Sequence, residues 1–159
     1  EVGGGPVRSG DVTVDSRPLR HPDGCVAYRL EHEGRRLVYA TDHEPHAVPL
    51  FGEPNGALPL HPEDRRHVAF LAGADLVIGG HIHLPYVLPL QGLARPMWVV
   101  QAGTAVSSRV RRGVPNSVNL LRWGTGLSPG CCLIERWDFS AAHQAFVRAE
   151  ATEVRPARA

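Results

Sequence analysis

Apolar and polar positions alternate with a period of two through much of this chain, so strands rather than helices dominate the expected structure. Residues 11–15 alternate valine with polar side chains and predict a short strand. Residues 25–32 and 35–41 are rich in β-branched and aromatic side chains, and the Glu33-Gly34 step between them predicts a hairpin. Residues 45–62 carry repeated prolines with little periodicity and predict a surface loop. His61-Pro62-Glu63-Asp64 then predicts a helix start, with proline just inside and acids in the first turn. That helix is expected to bury Val68, Leu71 and Ala72, to stop at Gly73, and to hand over to a strand at 75–78. Further β-rich runs fall at 97–101, 117–123, 131–139 and 146–154, with a turn at 141–144 and a frayed tail at 155–159.

Composition narrows the function classes. The chain has 159 residues and 43% hydrophobic content, enough for a core and against disorder. Its net charge is +1, and its basic residues, all arginine, are scattered or in short pairs, so nucleic acid is not an implied partner. Cysteine occurs at Cys25, Cys131 and Cys132, an odd set without CxxC spacing, which points to a reducing, cytoplasmic setting rather than to disulfides. No apolar run approaches the roughly 20 residues that span a bilayer, so no membrane partner is expected. The start at Glu1 without Met reads as an internal fragment or a processed chain.

The chemistry-bearing residues are mainly histidines. In Gly79-Gly80-His81-Ile82-His83, two imidazoles follow a buried strand, where α/β sheets open their ligand crevices; an extended His-x-His directs both rings toward metal. The alternative is a pair of solvent-facing loop histidines. Together with 100–105 and 115–120, this stretch resembles the C-terminal part of a calcineurin-like metallophosphoesterase over residues 74–159. The resemblance implies that His81 and His83 each bind one of two bridged metals. The family's upstream ligand motifs have no proper match here; Gly10-Asp11-Val12-Thr13-Val14-Asp15 is one residue too long for one of them.

The upstream half points elsewhere. Residues 19–30, which include His21, and residues 36–44, which include Asp42, resemble the middle of a metallo-β-lactamase-fold hydrolase as far as Val77. That resemblance implies His21 as a metal ligand and Asp42 as the carboxylate bridging two metals. Asp42 as a turn cap and His21 as an ordinary loop residue stay open beside it. The family's main His-x-His-x-Asp-His motif is missing ahead of His21. His46, His61 and His67 read as surface residues, His32 and His143 as solvated, and Arg109, Arg111 and Arg112 as a charged loop able to hold phosphate.

The expectation is therefore a strand-rich α/β or α+β sandwich of the αββα kind, a single compact domain that is incomplete, with a lactamase-like segment at 1–77 and a phosphoesterase-like segment at 78–159. The expected function is metal-dependent hydrolysis of a small-molecule phosphoester with manganese, zinc or iron, the metals held by His21, Asp42, His81 and His83. The alternatives are a lactamase-fold hydrolase of esters or phosphodiesters, and a non-catalytic remnant that binds metal weakly.

Overall fold

A computed structural model describes residues 5–46, 61–124 and 126–155 of the chain, so most of the loop expected at 45–62 lies outside the described residues. The chain divides into two units, Glu1–Ala74 and Asp75–Ala159. Both are strand-rich, and the described residues hold one α-helix, giving the mixed class that the alternation predicts.

In the first unit, β1 (Val7–Ser9), β2 (Val12–Leu19), β3 (Cys25–His32) and β4 (Arg35–Tyr39) form an antiparallel meander. Glu33 and Gly34, at φ 47° and 73°, make the tight turn between β3 and β4; the left-handed conformation at both positions matches the right-handed twist of the flanking strands. Ala27 on β3 and Val38 on β4 are fully buried, while Tyr28 and Tyr39 beside them point outward, as the period of two requires.

The helix α1 (Pro62–Leu71) starts where expected. His61 is its N-cap, its Nδ1 accepting from the Glu63 amide at 3.2 Å, with Glu63 and Asp64 in the first turn. Its buried face differs from the expected one. Asp64 and Phe70 are buried, whereas Val68 and Ala72 are exposed and Leu71 is intermediate. The strand arginines explain the choice: Arg17 pairs with Glu63 and lies over the Phe70 ring, its guanidinium carbon 6.0 Å from the centroid. Arg29 donates to the Phe70 carbonyl and Arg36 to that of Ala72. These cations satisfy the carbonyl end of a helix whose own last turn has no basic residue. Gly73 follows at φ 71°, a left-handed conformation that favours glycine, beneath the Arg36 guanidinium.

In the second unit, β5 (Leu76–Gly79) pairs in parallel with β7 (Met97–Gln101), and β6 (Tyr86–Leu90) pairs antiparallel along the other side of β7. A second sheet runs in the order β10 (Ala145–Val154), β9 (Cys132–Ser140), β8 (Ser117–Arg122), all antiparallel, with a bulge between Arg148 and Glu150. Asn119 Nδ2 donates to the Gln101 carbonyl at 3.2 Å and the Ser117 amide to that of Thr104 at 2.9 Å, joining the two sheets. Leu76, Met97, Val100, Ile134 and Val154 form the apolar interior, with the neighbouring thiols Cys131 and Cys132 also buried. Burial pushes the Cys132 thiol up to about 12. Arg122 and Arg148 both pair with the buried Glu135, and the hydrogen bond from Arg148 holds that carboxyl below its usual range.

Candidate metal sites

The meander brings His21 and Asp42 together. Successive strands reverse direction, so β2 and β4 end on the same side, and both residues lie just beyond those ends. Gly24 donates to the His21 carbonyl at 3.0 Å and closes the turn that holds the histidine. The Glu44 amide donates to the Arg20 carbonyl at 2.9 Å, and the Arg20 guanidinium to the Pro45 carbonyl at 2.8 Å, tying the segment after β4 to the one after β2. His21 and Asp42 thus offer ligand atoms within 4.8 Å of each other, both at intermediate burial.

His81 and His83 belong to the second unit, and their stretch is not extended as expected. Both have positive φ, 72° and 55°, and the Ile82 amide donates to the Gly80 carbonyl at 2.9 Å, so the chain turns sharply beyond β5. His81 and Ile82 are exposed and His83 is intermediate. The arginine loop fixes the turn: Arg111 Nε donates to the Ile82 carbonyl at 2.6 Å, and His83 Nδ1 lies 2.7 Å from the Arg109 carbonyl. A carbonyl can only accept, so His83 carries its proton on Nδ1 and presents the Nε2 lone pair, the form in which imidazole ligates metal.

A further cluster forms in the first unit around α1. His46, His61 and Asp64 offer ligand atoms within 4.8 Å of one another. Asp64 is 5% exposed and accepts from the His46 amide at 2.9 and 3.0 Å, with His46 Nδ1 at 2.9 Å. The His46 and His61 rings are stacked at 4.4 Å, 2° from parallel, and His43 stacks on His67 at 3.9 Å. These histidines are half-buried rather than surface residues, because the stretch that carries His43 and His46 is laid along the helix and the paired rings shield one another.

No family model matches the sequence, and no curated protein matches it. Among solved structures, the chain resembles a single mutant of Vps29 from Entamoeba histolytica, with 14% identity, a TM-score of 0.48, and coverage of 80% of this chain and 60% of that one. It also resembles vacuolar protein sorting 29 from Cryptosporidium parvum, with 16% identity, a TM-score of 0.49, and coverage of 81% and 56%. The chain thus spans less than two thirds of the length of these neighbours. None of these comparisons supports the lactamase-like reading of residues 10–77. No helix among the described residues is long and apolar enough to cross a membrane.

The electrostatics of the helix cluster give a pH dependence. Burial lowers the His67 imidazole from 6.5 to about 4, helped by repulsion from His43. Burial likewise lowers His43, against the raising effect of the Asp64 charge. Unfolding returns His67 to its ordinary range, so between about pH 6.5 and 4 the unfolded chain binds more protons than the folded one. Stability is complete above that window and falls as the pH drops through it, by about 1–2 kcal/mol for His67 once solvent screening is allowed for. Urea unfolding at pH 7.5 and 4.5 should show this loss, and a His67→Leu variant should lose measurably less. Equal slopes for the two proteins would remove His67 from the account.

Proposed function

We propose that this chain is a divalent-metal-binding domain of the hydrolase type, with His21 and Asp42 holding a manganese, zinc or iron ion in the first unit. The convergence of an imidazole and a carboxylate from two separate strand ends carries this reading. Such a donor pair suits a borderline or hard divalent cation. Its chemistry, once bound, is polarisation of a phosphoryl or ester oxygen and a lowered pKa for bound water. His81 and His83 are the candidate ligands of the second unit, with the Arg109 carbonyl setting the His83 tautomer. The loop that carries Arg109, Arg111 and Arg112 lies against those histidines and supplies positive charge there, in keeping with a phosphoester as substrate.

The ligand count favours weak binding and slow turnover. His21 and Asp42 supply a pair of donors where catalytic zinc sites commonly use about three protein ligands. A loosely held ion leaves its nucleophile misplaced, and about 1 Å of misplacement costs on the order of a hundredfold in rate. Bis-p-nitrophenyl phosphate with added manganese should therefore be turned over well below about 1 per second. Calorimetric titration with manganese and zinc should show binding that weakens in His21→Ala and in Asp42→Asn, and separately in a His81→Ala, His83→Ala double variant. Affinities unchanged in all of these would overturn the proposal, and turnover at about 1 per second or faster, lost in His21→Ala, would overturn the slow-turnover reading.

A further inference from the structure

We infer that His46, His61 and Asp64 form a zinc site separate from the His21 and Asp42 pair, closed by the helix α1. The three residues come from two stretches of chain separated by residues 47–60, and their ligand atoms still converge within 4.8 Å. Two imidazole nitrogens and a carboxylate oxygen are a borderline donor set that suits zinc, and three protein ligands leave one tetrahedral position for water or a further ligand.

The hydrogen bonds around the cluster prepare its donors. Asp64 carries α1's most buried carboxylate, 5% exposed, and its Oδ1 lies 2.9 Å from His46 Nδ1. Without an ion a proton lies between the two; an ion that displaces it takes Nδ1 and Oδ1 as adjacent ligands. The His46 main-chain amide is bound to the same carboxylate, which fixes the segment independently of its ring. On His61, Nδ1 accepts from the Glu63 amide at 3.2 Å, a long bond that an ion taking that lone pair would replace. The two rings lie parallel at 4.4 Å, so filling the site turns at least one of them out of the stack to bring both lone pairs onto the ion. The His43 and His67 stack lies on the same two stretches and pins them side by side.

The helix spacing reinforces the assignment. His61, Asp64 and His67 recur every third residue, which places them along one face of α1. Asp64 Oδ1 and His46 Nδ1 are therefore neighbouring ligands, and His61 exchanges its capping bond for the ion when the site is filled.

Separate variants resolve these roles. His61→Asn removes the imidazole and keeps a good N-cap, so helix content should persist while zinc binding falls. His46→Ala removes the other ring and leaves the main-chain bond to Asp64. Titration of the full chain with zinc, and with cobalt as a coloured stand-in, should show a site that weakens at least about tenfold in each variant, with loss of the visible cobalt bands. The same site should survive in His21→Ala and in Asp42→Asn, which separates it from the proposed function above. Circular dichroism without metal checks that each variant is folded; if His61→Asn is not, His46→Ala decides. Zinc affinity and cobalt spectra unchanged in folded His46→Ala, or a single zinc site lost only in the Asp42→Asn protein, would overturn the inference.

Discussion

Replacing Ile134 with alanine is expected to destabilise the second unit by about 2–5 kcal/mol. Ile134 lies on β9, the central strand of its three-stranded sheet, and it is 1% exposed. Truncation removes several buried methyl and methylene groups and leaves a cavity that two hydrogen-bonded neighbours cannot collapse into. Leu120→Ala is the control, because Leu120 lies on the adjacent strand at 43% exposure and should change stability by well under 1 kcal/mol. All the tryptophans, Trp98, Trp123 and Trp137, fall in the second unit, so intrinsic fluorescence in urea reports on the unit being tested. A shift for Ile134→Ala no larger than that for Leu120→Ala would show that β9 is not the centre of this interior.

The second large effect is steric. A Cβ at Gly103 would run into the Ser117 hydroxyl, with Pro85 Cδ at 3.5 Å on another side. Gly103→Ala should therefore cost about 1–3 kcal/mol, the range for inserting a methyl where there is no room. Ser117 is buried, its hydroxyl has no hydrogen-bond partner among the described residues, and its Cβ would lie 3.4 Å from the new methyl, an ordinary contact. Ser117→Ala should then be nearly neutral alone and should restore most of the stability lost in Gly103→Ala. Thermal melts of the two single variants and the double variant measure this coupling. Strict additivity would mean that the clash is relieved elsewhere.

What the sequence made legible was local. Glu33-Gly34 announced its hairpin because tight turns demand left-handed residues, and Pro62 with Glu63 and Asp64 announced α1 because helix starts favour them. β5, β7, β8, β9 and β10 came from runs of β-branched and aromatic side chains. β1 was too short to show a period, and β6 was masked by Pro89, a residue that strands tolerate mainly at a sheet's edge, where β6 lies. The buried face of α1 was misread because arginines on β2, β3 and β4, far away in sequence, decide it.

The sites divide in the same way. The convergence of His21 and Asp42 could be anticipated from the strand directions alone. The turn at His81 and His83 could not, since the arginine loop that sets it lies well downstream. The third-residue spacing of His61, Asp64 and His67 was visible in the sequence, but its partner His46 becomes apparent only when the chain on both sides of residues 47–60 is brought together.

The cysteines of the two units differ in how reagents reach them. Alkylating reagents attack thiolates, and Cys132, fully buried with its thiol pushed up to about 12, offers almost none while the second unit stays closed. Cys131 is equally enclosed, with Arg155 Nε donating to its sulfur at 3.4 Å. Cys25 belongs to the other unit and is only half-buried, beside the Thr41 hydroxyl at 3.6 Å. Cys25 is therefore open to labelling in the folded chain, whereas labelling at the paired cysteines times the opening of the second unit.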